Sequence, residues 1–201
     1  QYFTDGYSSR KHLYYGVVDI DLTSRTTLSL GGHSNTEDNP GSEWRGVPPA
    51  PDGSPLDIRR SRRFSPSWSY WDKKESSLFA ELKHKFDSGW VAKAAARSVN
   101  ASSALDGAYF VSGSYGAHGN MVYGRVGGRY DYDKKQQSFD VSAQGPVKLF
   151  GRFHDIAFGA SYRKDTWRDD GYSYLDSPTG YYMLGGVNPY TWDPDSVRRS
   201  D

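Results

Sequence analysis

The chain contains no cysteine among its 201 residues, which excludes disulfides, thiolate metal centres and cysteine nucleophiles. It also lacks any apolar stretch near the roughly 18 residues that a membrane-spanning helix needs. With a mean hydropathy of −0.78, a helical membrane protein is excluded. A membrane barrel is not, because its alternating strands average out to a hydrophilic composition. An excess of one charge sign is missing too. Lys and Arg total 25 against 24 for Asp and Glu, so the basic footprint of a nucleic-acid binder is absent and no nucleic-acid partner is expected. The length suits one domain or a piece of something larger. The first residue is Gln1, with no charged-then-apolar leader behind it; the expectation is a removed signal sequence or a cut from the middle of a longer chain.

What the chain does have is 16 Tyr, 6 Trp, 9 Phe and 22 Gly. Aromatic and β-branched residues favour pleated strands, and the reading is all-β. Strict alternation marks the strands. Tyr14, Val18, Ile20 and Leu22 share one face, with Asp19 and Asp21 on the other. After a short turn at Thr23–Arg25, Leu28 and Leu30 oppose Thr27, Ser29 and His33. Leu78, Ala80, Leu82 and Phe86 alternate with Glu81, Lys83 and Lys85. The turn signal Asp87-Ser88-Gly89 leads into Trp90, Ala92, Ala94 and Ala96. Phe139, Val141 and Ala143, then Ile156, Phe158, Ala160 and Tyr162, complete about six strands.

The connections are lopsided. Short turns contrast with long segments at about 37–73, about 100–129 and about 165 to the end. Loops this long usually carry function. Short turns at one end and long loops at the other is the pattern of an outer-membrane barrel. If Asp87–Gly89 and Gly145–Asp155 are both inner turns, an even number of strands separates them: Trp90–Val99 going out and about Tyr130–Gln144 returning. Val122–Tyr132 then extends the returning strand, or forms a small hairpin within the loop. A soluble β-sandwich also alternates. Its core face would want more bulk than Gly16, Gly32, Ala92, Ala94 and Ala96 supply.

In the first long loop, Arg59, Arg60, Arg62 and Arg63 precede Trp68, Tyr70 and Trp71. Arginine beside large aromatics suits an anionic or planar ligand. Contact with lipid phosphate, simple solvation of the arginines, or an interfacial aromatic girdle are the plainer alternatives. His12, His33, His84, His118 and His154 are scattered, with no metal-ligand spacing. Asp169-Asp170 and Asp193-Pro194-Asp195 lie in Gly/Pro/Tyr-rich stretches and read as solvated turn residues rather than a catalytic pair. Gly124 to Gly128 lacks the strand-to-helix setting of a phosphate loop. Nothing nominates an enzyme.

The run Ser65-Pro66-Ser67-Trp68-Ser69-Tyr70-Trp71-Asp72, followed by Phe79 to Trp90, resembles TonB-dependent ferric-siderophore receptors of the ferric-coprogen and ferric-pyoverdine type. Tyr15 to Thr23, Ser138 to Asp155 and the Asn188-Pro189-Tyr190 segment with Trp192-Asp193 resemble further stretches of that family in the same order. The resemblance implies part of a 22-stranded outer-membrane barrel with long extracellular loops, residues 1–201 forming one partial barrel domain without the plug and remaining strands. It implies binding and TonB-driven uptake of a ferric siderophore, with contacts to outer-membrane lipid and to TonB through the plug region. Iron would be held by the siderophore's own oxygens, so neither a cofactor nor a protein metal ligand is expected. The matching ligand contacts are Trp44, Arg45, Trp68, Tyr70 and Trp71. The competing readings are a soluble secreted β-sandwich that binds carbohydrate through the same aromatics, and a β-rich glycoside hydrolase, for which no acid pair stands out.

Overall fold

The computed structural model describes residues 4–43, 49–50, 52–115, 120–174, 188 and 190–196, with backbone alone for 109–115, 120–126 and 173–174. Its strands are β1 (Arg10–Thr23), β2 (Thr26–Asp38), β3 (Tyr70–Lys85), β4 (Val91–Tyr115), β5 (Asn120–Leu149) and β6 (Arg152–Tyr174). They form one antiparallel sheet in sequence order, each strand bonded to the next.

Pairing register turns the sequence alternation into two continuous faces. Val18, Leu30, Ala80, Ala96, Phe139 and Tyr162 lie side by side across all six strands. Ile20, Leu28, Leu82, Ala94, Val141 and Ala160 form the next row. On β1 this belt runs from Tyr14 to Leu22, about the 9–11 residues with which a tilted strand crosses hydrocarbon. Aromatics edge it: Tyr14, Phe139 and Tyr162 toward the long loops, Phe86, Trp90 and Phe158 toward the short turns. His84 closes its lower rim, bonded to Thr26 Oγ1 at 2.8 Å and edge-on to Phe86 at 4.4 Å. The belt is exposed, Leu78 to 72% and Phe158 to 63%. Among the described residues no second sheet packs on it, as a β-sandwich requires.

The opposite face is a polar ladder. Ser29 donates to Asp19 at 2.5 Å, Thr27 to Asp21 at 2.9 Å and Ser161 to Asp140 at 2.6 Å. Lys93 pairs with Glu81 at 3.5 Å, and Arg97 Nε donates to Ser77 Oγ at 3.0 Å. Such cross-strand pairs contribute a few tenths to about 1 kcal/mol each and hold the register.

The lopsided connections are present, with three boundaries redrawn. β5 continues through Pro146 to Leu149, so the turn expected over Gly145–Asp155 is only Phe150-Gly151, with both φ positive as a two-residue hairpin turn requires. The expected loop at about 100–129 is instead paired hairpin, because β4 and β5 stay in register from Val91↔Gln144 out to Tyr115↔Asn120. Val122–Tyr132 thus extends the returning strand. The segment from about 165 begins as strand, β6 holding its pairing with β5 to Tyr174.

The connection after β2 remains long and folds into a cap with both chain-end segments. Asp5 bonds Ser61 through its amide at 2.8 Å and through its carboxylate at 3.2 Å, and Ser8 donates its amide to the Pro40 carbonyl at 3.2 Å. Trp192 donates its indole N–H to the Phe64 carbonyl at 3.0 Å. Asp195 accepts the Ser67 amide at 2.7 Å and pairs with Arg63 at 2.5 Å. Leu56, Phe64, Pro66, Trp192 and Pro194 are buried here, as are Leu105 and Ala108 on β4, so the conventional apolar core lies in the cap and at the long-loop end of β4. Gly41 has φ +71 and a would-be Cβ 2.3 Å from the Gly6 carbonyl oxygen, so only glycine lets these segments meet.

Two outcomes follow. Val141→Lys, in the middle of the belt, should cost about 2–4 kcal/mol in vesicle-folded protein, whereas Ser142→Lys on the polar face should be near neutral. Denaturant titration of both variants checks this; equal losses would contradict the face assignment. The second concerns Asp195, which the Ser67 amide, followed by the Ser67 side chain and Arg63, holds below the ordinary aspartate value of 3.8. A depressed folded-state value means that the docked carboxylate stabilises above that ordinary value and loses its contribution as pH falls through the lowered one. The melting-temperature gap between parent and Asp195→Asn should therefore close below pH 3.8; a gap constant from pH 7 to pH 2.5 would refute it.

Candidate functional site

The polar face carries its aromatic side chains at the long-loop end. Trp71 begins β3 there and donates its indole N–H to Ser103 Oγ at 2.8 Å. Lys73, two residues on and therefore on the same face, places Nζ 4.4 Å from the Trp71 ring centroid. The register continues this row from Trp71 through Leu105 to Tyr130 and Gly171. Tyr130 stacks with Tyr132 at 6.4 Å and 13° between planes, and Tyr132 meets Trp167 at 6.2 Å. A Cβ on Gly171 would come within 2.3 Å of the Tyr130 ring, so glycine is what lets that ring lie flat on the sheet.

Between these rings the sheet has a depression of 270 Å³, floored by Ala101 and Ser103 and walled by Glu37, Lys73, Glu75, Tyr132, Lys134 and Trp167. Small floor residues and large walls make it concave. Its charges are cross-linked: Lys11 and Lys73 face Glu37 at 3.0 and 3.8 Å, His33 meets Glu75 at 2.9 Å and Lys134 meets Asp165 at 3.9 Å. Ring faces bordered by ammonium groups can cover the apolar body of a ligand and hold its anionic rim. Nothing in the patch supplies a nucleophile with an adjacent base, and no group of three His, Asp or Glu among the described residues could hold a metal.

The structure separates the residues that sequence placed together. Trp71 lies on the polar face and Tyr70 on the other, in the outward row Tyr70, Asp106, Arg129, Tyr172. Adjacent strand residues point oppositely, so the two rings do not share one concave surface. Trp68 is half-buried in the turn before β3, where Ser69 donates its amide to Pro66 at 3.1 Å. Trp44 and Arg45 fall outside the described residues. The residue before them, Glu43, accepts the Phe64 amide at 2.7 Å, and burial pushes its carboxyl above the ordinary glutamate range.

The arginine cluster does not form an open anion patch. Arg59 pairs with Asp5, and Arg63 with Asp195. Arg62 donates to the carbonyls of Tyr190 and Trp192 at 2.9 and 2.8 Å. These arginines brace the cap. Sequence reasoning missed Tyr130, Tyr132 and Trp167. The signal was present in the spacing Tyr130-x-Tyr132 and in Trp167, which has opposite parity to the belt residue Tyr162.

No family model matches the chain. Over 92% of its length it is 34% identical to the ferric-pyoverdine M114 receptor PbuA of Pseudomonas sp. strain M114, of which it covers 22%. Over 85% it is 32% identical to the ferripyoverdine receptor of Pseudomonas aeruginosa, covering 21% of that protein. The crystal structure of the outer-membrane ferripyoverdine receptor of P. aeruginosa bound to ferripyoverdine matches 99% of the chain with a TM-score of 0.79 and 26% identity, over 26% of the receptor chain. The FpvAI–pyocin S2 complex matches 96% with a TM-score of 0.75 and 28% identity, over 24% of that chain. The chain thus spans about a quarter of the length of these relatives. Over that span it is similar in sequence and in fold to ferric-pyoverdine receptors of the outer membrane.

Proposed function

We propose that the chain forms part of an outer-membrane receptor that binds a ferric siderophore for TonB-dependent uptake, the ligand resting against the aromatic patch of the polar face. The single observation that carries this reading is the placement of Trp71, Tyr130, Tyr132 and Trp167 together on the face opposite the apolar belt. With the belt against lipid, that face lines the barrel interior, and the long-loop end is the outside. Ligand arriving from outside meets the cap and the rings before the ion-paired ladder below.

The mechanism is selective binding. Rings cover apolar ligand surface, Lys73 and Lys134 attract anionic groups, and Glu37 and Asp165 orient those two cations. Iron enters as cargo inside the siderophore's donor set. Of the residues expected from sequence, Trp71 is the proposed direct contact. Trp44 and Arg45 are proposed as contacts from the segment that Glu43 anchors, and Trp68 and Tyr70 as parts of the wall that hold it. The unpaired edges of β1 and β6 are proposed to meet further strands in a closed barrel, since lipid does not tolerate open sheet edges. Energy from TonB would reach the ligand through a plug.

Trp71→Ala and Trp167→Ala, each in the receptor that carries this chain, should weaken ferric-siderophore binding by about two- to tenfold, from a lost ring contact of about 0.5–1.5 kcal/mol. Heat-modifiable migration of the barrel should be retained. Equilibrium titration of siderophore fluorescence measures the affinity; unchanged dissociation constants in both variants would remove the patch from the site. Tyr70→Ala serves as the opposite-face comparison and should move affinity less than Trp71→Ala.

A further inference from the structure

Three parts of the molecule meet at Glu37, the last polar-face residue of β2: the first strand, the cap and the aromatic patch. Its Oε2 lies 3.0 Å from Lys11 Nζ on β1. Its Oε1 accepts a side-chain N–H of Asn39 at 3.1 Å. Asn39 is only 2% exposed and is fixed on every side. The Asp72 carboxylate accepts its backbone amide at 2.9 Å, its side chain also donates to the Trp71 carbonyl at 2.7 Å, and its own carbonyl accepts the Ser42 hydroxyl at 2.8 Å. Both oxygens of Glu37 are therefore tied, one to β1 and one to a buried joint between sheet and cap.

Lys73 stands directly opposite Glu37 in the register, yet its Nζ stays 3.8 Å from Oε1, beyond hydrogen-bonding distance. Two flexible side chains so placed would ordinarily close to about 2.7–2.9 Å. Lys73 instead lies over the Trp71 ring, which its indole bond to Ser103 holds in place at 2.8 Å. The other acids nearby are engaged elsewhere: Glu75 meets His33 at 2.9 Å, and Asp165 meets Arg163 at 2.6 Å. Among the described residues the Lys73 ammonium makes no hydrogen bond, so its donors remain unspent at the wall of the depression. Two cations against one carboxylate leave the group Lys11, Glu37 and Lys73 with a single positive charge. One monoanion neutralises it; a second negative charge would be repelled by Glu37.

We propose that Lys11 is a positioning residue for ligand binding: with Asn39 it holds the Glu37 carboxylate off Lys73, and so reserves Lys73 for one carboxylate of a ligand whose planar part lies on Trp71. This rests on the reading of the patch as a siderophore contact given under Proposed function. Lys11 does not line the depression and acts only through Glu37. Without Lys11, Glu37 loses its shorter partner and closes on Lys73, spending the donors that the ligand would use. With Lys11 and Glu37 both neutral, Lys73 has no internal competitor.

The test uses the receptor that carries this chain and two ferric siderophores identical except for one side arm, a succinate carboxylate or its carboxamide. Titration of siderophore fluorescence gives the ratio of their affinities. The parent should prefer the carboxylate form by about fivefold, the difference between a charged and a neutral acceptor. Lys11→Gln should remove the preference, Lys11→Arg should keep it, and adding Glu37→Gln to Lys11→Gln should restore it. Lys73→Gln should abolish it outright. A preference that survives Lys11→Gln or Lys73→Gln, or that the double variant fails to restore, overturns the proposal. Equal loss of affinity for both forms in Lys11→Gln, with the ratio unmoved, would make Lys11 a purely structural residue and also overturns it. A parent that binds neither form defeats the siderophore reading and this proposal together; a parent that binds both without preference defeats this proposal alone.

Discussion

Everything in this structure depends on one geometric fact: successive residues of a strand point to opposite sides. Six strands in register multiply that fact into two surfaces of different chemistry, and neither is a protein core. One side offers Val18, Leu30, Phe139 and Tyr162 outward; the other offers Asp19, Ser29, Asp140 and Arg163. A slip of one residue in any pairing would put carboxylates into the belt and leucines into the ladder, so register is under heavy constraint. The hydroxyl–carboxylate pairs Ser29–Asp19, Thr27–Asp21 and Ser161–Asp140 answer that constraint, because each forms only in the observed pairing. The backbone ladder supplies cohesion that a buried core supplies elsewhere, with β2 to β5 each paired on both sides.

The cap solves a different problem. Its connection after β2 has no regular ladder, so it is fixed by side chains reaching to backbone: Arg62 to two carbonyls, Trp192 to the Phe64 carbonyl, Asp195 to the Ser67 amide. The arginines that look in sequence like an anion-binding run are consumed in this work. Their density reflects how many loop carbonyls and carboxylates need a planar, multidentate donor. Buried Leu56 and Phe64 then give the loop a small core of its own. A cap built this way presents a defined surface above the aromatic patch.

How much of this was legible in the sequence differs by feature. The fold class and the short turns were, because alternation is local: Leu78-x-Ala80-x-Leu82 and Asp87-Ser88-Gly89 need no partner to be read. Strand ends were not. Ser102 to Tyr115 has weak strand character, and only pairing with Asn120 to Asp133 makes it a strand. The aromatic patch was half legible. Trp71 stood out as one of a cluster of aromatics, but the cluster Trp68, Tyr70, Trp71 divides once pleat parity is applied. Tyr130, Tyr132 and Trp167 were hidden because their nearness is set by the β4–β5–β6 register, and Tyr132 and Trp167 are thirty-five positions apart in the chain. Contacts that depend on register between strands cannot be read from spacing along one of them.

The same parity separates the charge environments of the two faces. Lys73 and Lys134 lie on the polar face with Glu37 and Asp165 beside them, so their charge is partly balanced. Balanced cations discriminate by geometry, since a ligand must offer better-placed acceptors than the carboxylates already present. Lys135, the neighbour of Lys134, points outward with no acid in its row. An unbalanced cation attracts any anion that reaches it and discriminates little. Two lysines adjacent in sequence thus sit in different charge environments because a pleat stands between them.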